Sequence, residues 1–164
     1  MLAAALAVAG CYAGSARDVS RHELSNQVGW VVVDGVPFVR QESDRDCGAA
    51  ALAMLLARWG RLVKEGELVA ALAPERGHGI AAGRLRDLAR QKGLHAFLVA
   101  GDFRDLEREI GAQRPVLVGV VQRYGAKGIA HYEVVIGMNR AARRILTLDP
   151  ARGLREDGFE GFAT

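Results

Sequence analysis

Cys47 and Gln41 are the first residues in this sequence whose types and spacing could perform chemistry. Gln41 lies six residues before Cys47 in the segment RQESDRDCGAAALAMLLARWG, and Cys47 opens its long apolar run. A thiol at the first turn of a helix is favoured as the thiolate by about 0.3–1 kcal/mol. This contribution is too small to make a reactive thiolate at neutral pH, so a nucleophilic Cys47 would need an imidazolium beside it. The alternative is an inert core thiol, because free cysteine is among the most buried residue types.

The residues around Cys47 are compatible with a nucleophile. Asp44 or Asp46 is a candidate N-cap for the helix, and Gly48 leaves the backbone beside the sulfur open to close approach. The side-chain amide of Gln41 could donate to a developing oxyanion, a contribution of roughly 10²–10³ in rate. The alternative for Gln41 is a polar loop residue.

His131 and Asp149 form the second candidate pair. His131 opens the β-rich segment HYEVVIGM, and Asp149 ends the segment LTLD just before Pro150. A short hairpin would bring the start of the first strand beside the end of the second. The carboxylate of Asp149 could then fix the tautomer of His131 and stabilise its charged form. The alternative is a rim histidine bonded to water and an aspartate that begins a turn.

The elements that must position these residues follow from the hydrophobic pattern. Residues about 47–59 predict a helix that is apolar on nearly every side and therefore central. Further helices are expected over 64–73, 82–92 and 102–112. Strands are expected over 94–100, 115–121, 131–138 and 144–150, with a loop over 123–130. Since helices come first and a sheet dominates the end, the order predicts an α+β fold, with N-terminal helices packed on a C-terminal antiparallel sheet.

Composition excludes several classes of function. The chain has 164 residues and a net charge of +3, which suits one domain with scattered basic residues and few aromatic residues. We therefore expect no nucleic-acid partner. His22, His78 and His95 form no close-spaced ligand pattern with Cys11, so we also expect neither a metal ion nor a cofactor.

The first residues predict export. MLAAALAVAGCYAGS is apolar or small through Gly14 and too short to span a bilayer, which needs roughly 20 apolar residues. It fits the apolar region of a secretion signal, and VAGC at residues 8–11 resembles a bacterial lipobox. We expect a signal peptide over 1–10, a lipidated Cys11 with a polar tether over 11–28, and one folded domain over 29–164. A disulfide between Cys11 and Cys47 is possible only if Cys11 carries no lipid.

The segment VPFVRQESDRDCGAAALAMLLARWG resembles the nucleophile region of the bacteriocin-processing, double-glycine-leader cysteine peptidases, a papain-like family. HYEVVIGMNRAARRILTLDPARG is similar to the family's second motif, and the match runs from about Val36 to Phe162. The resemblance implies Cys47 as nucleophile, His131 as general base and acid, Asp149 as its orienting partner and Gln41 as oxyanion donor. His78 stands where the family often has a hydroxyl residue.

The best-known members of that family are domains of ABC exporters, whereas this sequence carries no transporter segment. We therefore expect a stand-alone cysteine peptidase that acts on a peptide or protein and is held by lipid on the periplasmic side of the bacterial envelope. Tyr12 after Cys11 favours the outer membrane, by resemblance to enterobacterial sorting. Two alternatives stay open: a catalytically silent peptide-binding module, and an acyltransferase that uses the same acyl-enzyme. The sequence stops at FEGFAT without a polar tail, which leaves open whether the natural protein continues beyond Thr164.

Overall fold

In the described residues five helices precede the long strands, and the last four of them follow the order that the sequence predicts. The computed structural model describes residues 15–73, 79–124 and 127–162. Its helices are α1 (Arg21–Ser25), α2 (Cys47–Arg58), α3 (Glu65–Leu72), α4 (Ala82–Gln91), α5 (Phe103–Gly111) and α6 (Phe159–Phe162). Its strands are β1 (Arg17–Asp18), β2 (Val31–Val32), β3 (Val116–Tyr124), β4 (Lys127–Asn139), β5 (Arg144–Asp149) and β6 (Gly153–Gly158). The predicted α+β class is confirmed.

Within the described residues, all strands join one antiparallel sheet. The strand order is β1-β6-β5-β4-β2, and β3 also pairs with β4. β4 is the longest strand, because β3 pairs along its first part while β2 pairs with Gly137 and Met138. The other edge of β4 pairs with β5, with a register shift between Val135 and Gly137. The end of β5 and the middle of β4, which carry two of the predicted site residues, are thereby adjacent.

Helix α2 lies between the sheet and helices α3 and α4. Nine of its twelve residues are buried. Ala51 and Met54 belong to a core cluster with the apolar residues of β4 and β5, whereas Leu52 and Leu56 pack with Leu68 of α3 and with residues of α4. The small alanine side chains let neighbours approach on several sides. The prediction of a central helix is confirmed, and its first residue, Cys47, is held by packing along the rest of the helix.

Two predictions about strands were wrong, and one strand was not predicted. Residues 94–100 are not a strand: Phe97 and Val99 are exposed, and the carbonyl of Ala96 accepts from the Arg90 side chain. The loop predicted over 123–130 is mostly β-structure, because β3 and β4 stay paired as far as Tyr124 and Lys127. Strand β6 was missed because its middle residues are charged and lack an apolar pattern.

The polar tether predicted over 11–28 is folded onto the domain from Ser15 onward. β1 pairs with β6 through Arg17–Glu156 and Asp18–Arg155. Ser20 then caps α1 in a capping box with Glu23. Ion pairs and backbone hydrogen bonds, not apolar side chains, attach this segment to the sheet. Its sequence therefore shows no hydrophobic periodicity from which the attachment could be predicted. Residues 11–14 lie outside the described residues. None of the helices in the described ranges has the length and apolar character needed to cross a membrane.

Candidate active site

Cys47 is the first residue of α2 and is 8% exposed. Asp46 occupies the N-cap position, but its side chain accepts from the Ser43 hydroxyl instead of capping the helix. Gly48 is buried, and a Cβ atom there would lie 3.1 Å from the ring of Tyr132. The space beside the sulfur that the sequence left open is therefore filled partly by Tyr132, whose hydroxyl donates to the carbonyl of Ile80.

His131 faces both Cys47 and Asp149. It lies inside β4, opposite Val120 of β3, rather than at the strand's start, and is 8% exposed. Its Nε2 atom is 2.8 Å from Oδ1 of Asp149, and the Cys47 side chain is close enough to act on the pKa of the ring through hydrogen bonding and charge. Burial lowers the pKa of His131, but the hydrogen bonds and negative charges of Asp149 and Cys47 outweigh it and raise the pKa to about 10. The imidazolium is thus stabilised between two acidic groups.

Asp149 ends β5 and is fully buried. The N–H of Ala151 donates to the same Oδ1 atom at 2.8 Å, while the amide of Gln122 and the guanidinium of Arg155 lie 3.3 and 3.5 Å from Oδ2. Burial opposes ionisation of the carboxyl, but His131, the Ala151 N–H and the Arg155 charge together hold its pKa below the ordinary value. Asp149 is therefore an ionised, rigidly held partner for His131.

Gln41 lies next to the loop that follows Asp149. Its backbone N–H donates to the carbonyl of Pro150 at 3.1 Å. Its side-chain Nε2 donates to the carbonyl of Ser43 at 3.0 Å, and its Oε1 atom is buried without a hydrogen-bond partner among the described residues. The segment that carries Gln41 is thus attached both to β5 and to the turn before Cys47.

Sequence reasoning missed three buried polar residues around Asp149. Gln122 on β3 donates to Glu133 at 2.9 Å as well as to Asp149. Burial and the Asp149 charge raise the pKa of Glu133 despite hydrogen bonds from Thr147 and Gln122. Arg155 is only 3% exposed. Glu133 could have been found, because it lies two residues after His131 and so shares its side of the strand; Gln122 and Arg155 carry no such signal.

The other singled-out residues are not part of this cluster as described. His22 and His95 are exposed. Cys11 and His78 lie outside the described residues. Ligand atoms of His131, Glu133 and Asp149 lie within 4.8 Å of one another, a spacing that could hold a metal ion. His131 and Asp149 are bonded to each other and Gln122 bonds to Glu133, so these atoms already have protein partners. That the protein needs no metal or cofactor stays a prediction.

The arrangement meets the geometric conditions for nucleophilic catalysis. A thiol at a helix start lies close to an imidazole, and a buried carboxylate orients that imidazole. Such a chain of groups can form and release an acyl-enzyme without external chemistry beyond water.

Comparison with known proteins identifies similar molecules. The model of a family described as the peptidase C39 family matches residues 35–164. The peptidase domain of Streptococcus ComA, a bi-functional ABC transporter involved in a quorum sensing pathway, is similar in structure with a TM-score of 0.66 and 23% identity, covering 78% of this chain and 90% of that one. A double glycine motif protease from an AMS/PCAT transporter, in complex with the leader peptide, has a TM-score of 0.52 and 21% identity, covering 78% and 83%. No curated protein matches the sequence.

Proposed function

Since the chain belongs to the peptidase C39 family and is a cysteine peptidase with a papain-like fold, we propose that it hydrolyses peptide bonds through Cys47, His131 and Asp149. The observation that carries the proposal is the continuous contact from Cys47 to His131 and from His131 to Asp149. Cys47 attacks the peptide carbonyl as a thiolate paired with the imidazolium of His131. Asp149 keeps that imidazolium oriented and charged.

The remaining steps use the same groups. The backbone N–H of Cys47 and the side-chain amide of Gln41 stabilise the oxyanion, for which the Gln41 amide leaves the carbonyl of Ser43 that it bonds in the free protein. His131 gives its proton to the leaving amine, and the Cys47 thioester forms. His131 then takes a proton from water, which attacks the thioester and releases the acid.

A peptide is the substrate class that the relatives favour. The double glycine motif protease is a complex with a leader peptide, and a peptide segment is the substrate that we propose here. No preference for Gly-Gly is carried over, because that structure is 21% identical to this chain.

The site of action proposed for this peptidase is the periplasmic side of the bacterial envelope, with the outer membrane as the favoured membrane. The support is VAGC at the end of a short apolar stretch, with Cys11 as the lipidated residue. A lipoprotein cysteine with more than one acyl chain is stably anchored, whereas a single chain holds only marginally.

Replacement of the thiol tests the reaction. Cys47→Ala should leave the fold intact, because alanine is small and α2 already contains five alanines, and should abolish hydrolysis of a library of quenched fluorogenic peptides. Cys11→Ser is the matched control, since Cys11 is the other cysteine of the sequence, and should retain full activity. Circular dichroism reports folding of both variants. Hydrolysis by folded Cys47→Ala protein would remove Cys47 from the mechanism.

A further inference from the structure

Arg155 connects the active site to the beginning of the folded chain. It lies on β6 and is 3% exposed. Its Nη1 atom is 3.5 Å from Oδ2 of Asp149, and its Nη2 donates to the carbonyl of Ala16 at 2.9 Å. Its Nε lies 3.4 Å from a carboxylate oxygen of Asp18. One guanidinium therefore contacts the carboxylate that orients His131 and a segment from the other end of the chain.

Residues 15–18, here called the N-terminal arm, are attached to β6 at each position. The Ser15 hydroxyl donates to Asp157, and Arg17 forms an ion pair with Glu156 at 2.5 Å. β1, which makes up half of the arm, pairs in register with Glu156 and Arg155. The arm thus covers Arg155 and supplies one carbonyl acceptor, from Ala16, and one carboxylate that forms an ion pair, from Asp18. A guanidinium is a rigid plane, so these two contacts fix its orientation toward Asp149.

The charges around Asp149 explain why such a residue is needed. β4 contributes His131 and Glu133, α2 contributes Cys47, and β6 contributes Arg155. The site therefore holds three acidic groups and two basic ones, and His131 itself must gain and lose a proton during the reaction. Arg155 is the positive charge at Asp149 that stays constant, because a guanidinium does not titrate in this range.

We propose that Arg155 is a positioning residue of the active site, and that the N-terminal arm holds it against Asp149. The proposal rests on the proposed roles of Cys47, His131 and Asp149. Arg155 does not touch the substrate; it sets the charge and orientation of Asp149 and through it the protonation of the Cys47–His131 pair. The sequence assigns the arm to a tether, whereas by this inference the arm supports catalysis by holding Arg155 in place.

The test measures how the reactivity of Cys47 depends on pH. Full-length protein is treated with iodoacetamide, and the labelled tryptic peptide Asp46–Arg58 is quantified by mass spectrometry over time at each pH. Removing a positive charge favours the protonated state of every neighbouring acid. Arg155→Gln should therefore move the midpoint of the alkylation profile to higher pH by roughly half a unit to one unit. Arg155→Lys keeps the positive charge, so its alkylation midpoint should lie close to that of the wild type.

Arg144→Gln is the matched control. It removes the same charge from the same sheet and breaks an ion pair with Glu156 at 2.7 Å, and it should leave the midpoint within about 0.2 unit of the wild type, well below a shift from an adjacent charge. If Arg155→Gln and Arg144→Gln give the same midpoint, or if Arg155→Lys behaves like Arg155→Gln, the proposed role of Arg155 is overturned.

A double-mutant cycle tests the arm. Asp18→Asn leaves the Arg155 charge less compensated and should move the midpoint to lower pH in the wild type. If the arm acts through Arg155, the same change should have less than about half that effect in the Arg155→Gln background, because coupled neighbours are not additive. Equal shifts in both backgrounds, or none in the wild type, would reject the arm's role. If circular dichroism shows that Arg155→Gln is unfolded, Arg155→Met, which also removes the charge, replaces it in the cycle with the same expectation.

Failure of this proposal is distinguishable from failure of the proposed function, because alkylation needs no peptide substrate. If Cys47→Ala abolishes hydrolysis but Arg155→Gln leaves the alkylation midpoint unchanged, the peptidase mechanism stands and Arg155 has no positioning role. If Cys47→Ala keeps hydrolysing peptides, the mechanism fails whatever Arg155 does.

Discussion

In the side-chain amide of Gln41, the nitrogen is hydrogen-bonded and the oxygen is not. Its amide nitrogen donates to the Ser43 carbonyl, and its Oε1 atom is buried without a partner among the described residues. A buried acceptor without a partner is unfavourable, so the side chain gains from any rearrangement that satisfies it. The proposed oxyanion contact uses the other end of the amide: Nε2 must exchange the Ser43 carbonyl for the oxyanion, so that hydrogen bond forms only when substrate reacts.

Gln41→Ala should therefore affect the chemical step more than binding. We expect kcat to fall by roughly 10²-fold with little change in KM, because the contact is made mainly with the oxyanion. Steady-state kinetics on a fluorogenic peptide found in the library measures both constants. Gln27→Ala, which alters an exposed glutamine that accepts from the Trp30 indole N–H, serves as control. A change confined to KM would make Gln41 a substrate-binding residue instead.

Asp149→Asn should weaken activity and change its pH dependence. We expect kcat/KM to fall by about 10²-fold, and His131→Ala to cost more, since an asparagine can still bond the ring. The Asp149 carboxylate helps to raise the pKa of His131 to about 10. The imidazolium is favoured below that pH and is lost above it, so removing the carboxylate moves the alkaline limb of the rate profile to lower pH. Equal losses in both variants with unchanged limbs would assign Asp149 to local folding alone.

The sequence predicts Cys47, His131 and Asp149 because a thiol, an imidazole and a carboxylate are the side chains that nucleophilic catalysis by cysteine requires. It does not predict Gln122 and Arg155, because their roles arise from strand pairing. Gln122 reaches Glu133 and Asp149 only because β3 and β4 stay paired beyond the predicted loop. Arg155 reaches Asp149 only because β6 follows β5 as a hairpin. Spacing along one chain carries no signal for either contact.

At the scale of the element, the hydrophobic pattern predicts α2 well and β6 not at all. α2 is buried along nearly its whole length, so its apolar run is sufficient to predict both helix and position. β6 reads GLREDG and has three buried charged residues, each held by ion pairs or hydrogen bonds with the arm or β5. Residues 94–100 show the reverse error, since an apolar run predicts a strand where no partner strand lies in the described part of the chain.

Helix α5 offers a prediction independent of the active site. Asp102 accepts from the N–H groups of Arg104 and Asp105 at 2.8 and 3.0 Å, and Asp105 accepts from the N–H of Asp102 in return. Loss of such a cap costs about 0.5–2 kcal/mol. Asp102→Ala should therefore lower Tm by roughly 2–4 °C for each 1 kcal/mol lost, by differential scanning calorimetry, without changing kcat.

The control for that cap is Asp87→Ala, which removes an exposed carboxylate paired with its neighbour Arg86 on α4. Exposed pairs contribute roughly 0–1 kcal/mol, so its Tm should move less. If both variants lower Tm equally, the cap contributes no more than a surface charge.

At the scale of the whole molecule, location is predicted to depend on Cys11 and catalysis on the folded domain. Cys11→Ser should move the protein from the membrane fraction to a soluble or uncleaved form, because the proposed acyl chains supply about 0.8 kcal/mol per buried CH₂. Immunoblots of fractionated cells measure location, and peptide hydrolysis by purified protein should be unchanged. A Cys11→Ser protein that stays membrane-bound and processed would contradict the lipobox. Loss of its activity would instead link Cys11 to the fold.

If Cys11 carries lipid as proposed, the attachment of the arm to β6 would also limit how far the domain can move from a membrane. With Ser15 fixed on the sheet, four peptide units separate it from Cys11, and a chain extends at most about 3.3–3.6 Å per residue. A domain held through Cys11 would therefore keep its β1–β6 edge within about 15 Å of the lipid headgroups. Such a short connection would allow the domain to diffuse laterally with the bilayer but would keep it close to the bilayer surface. Its accessible targets would then be chain segments that emerge at, or return to, the lipid surface.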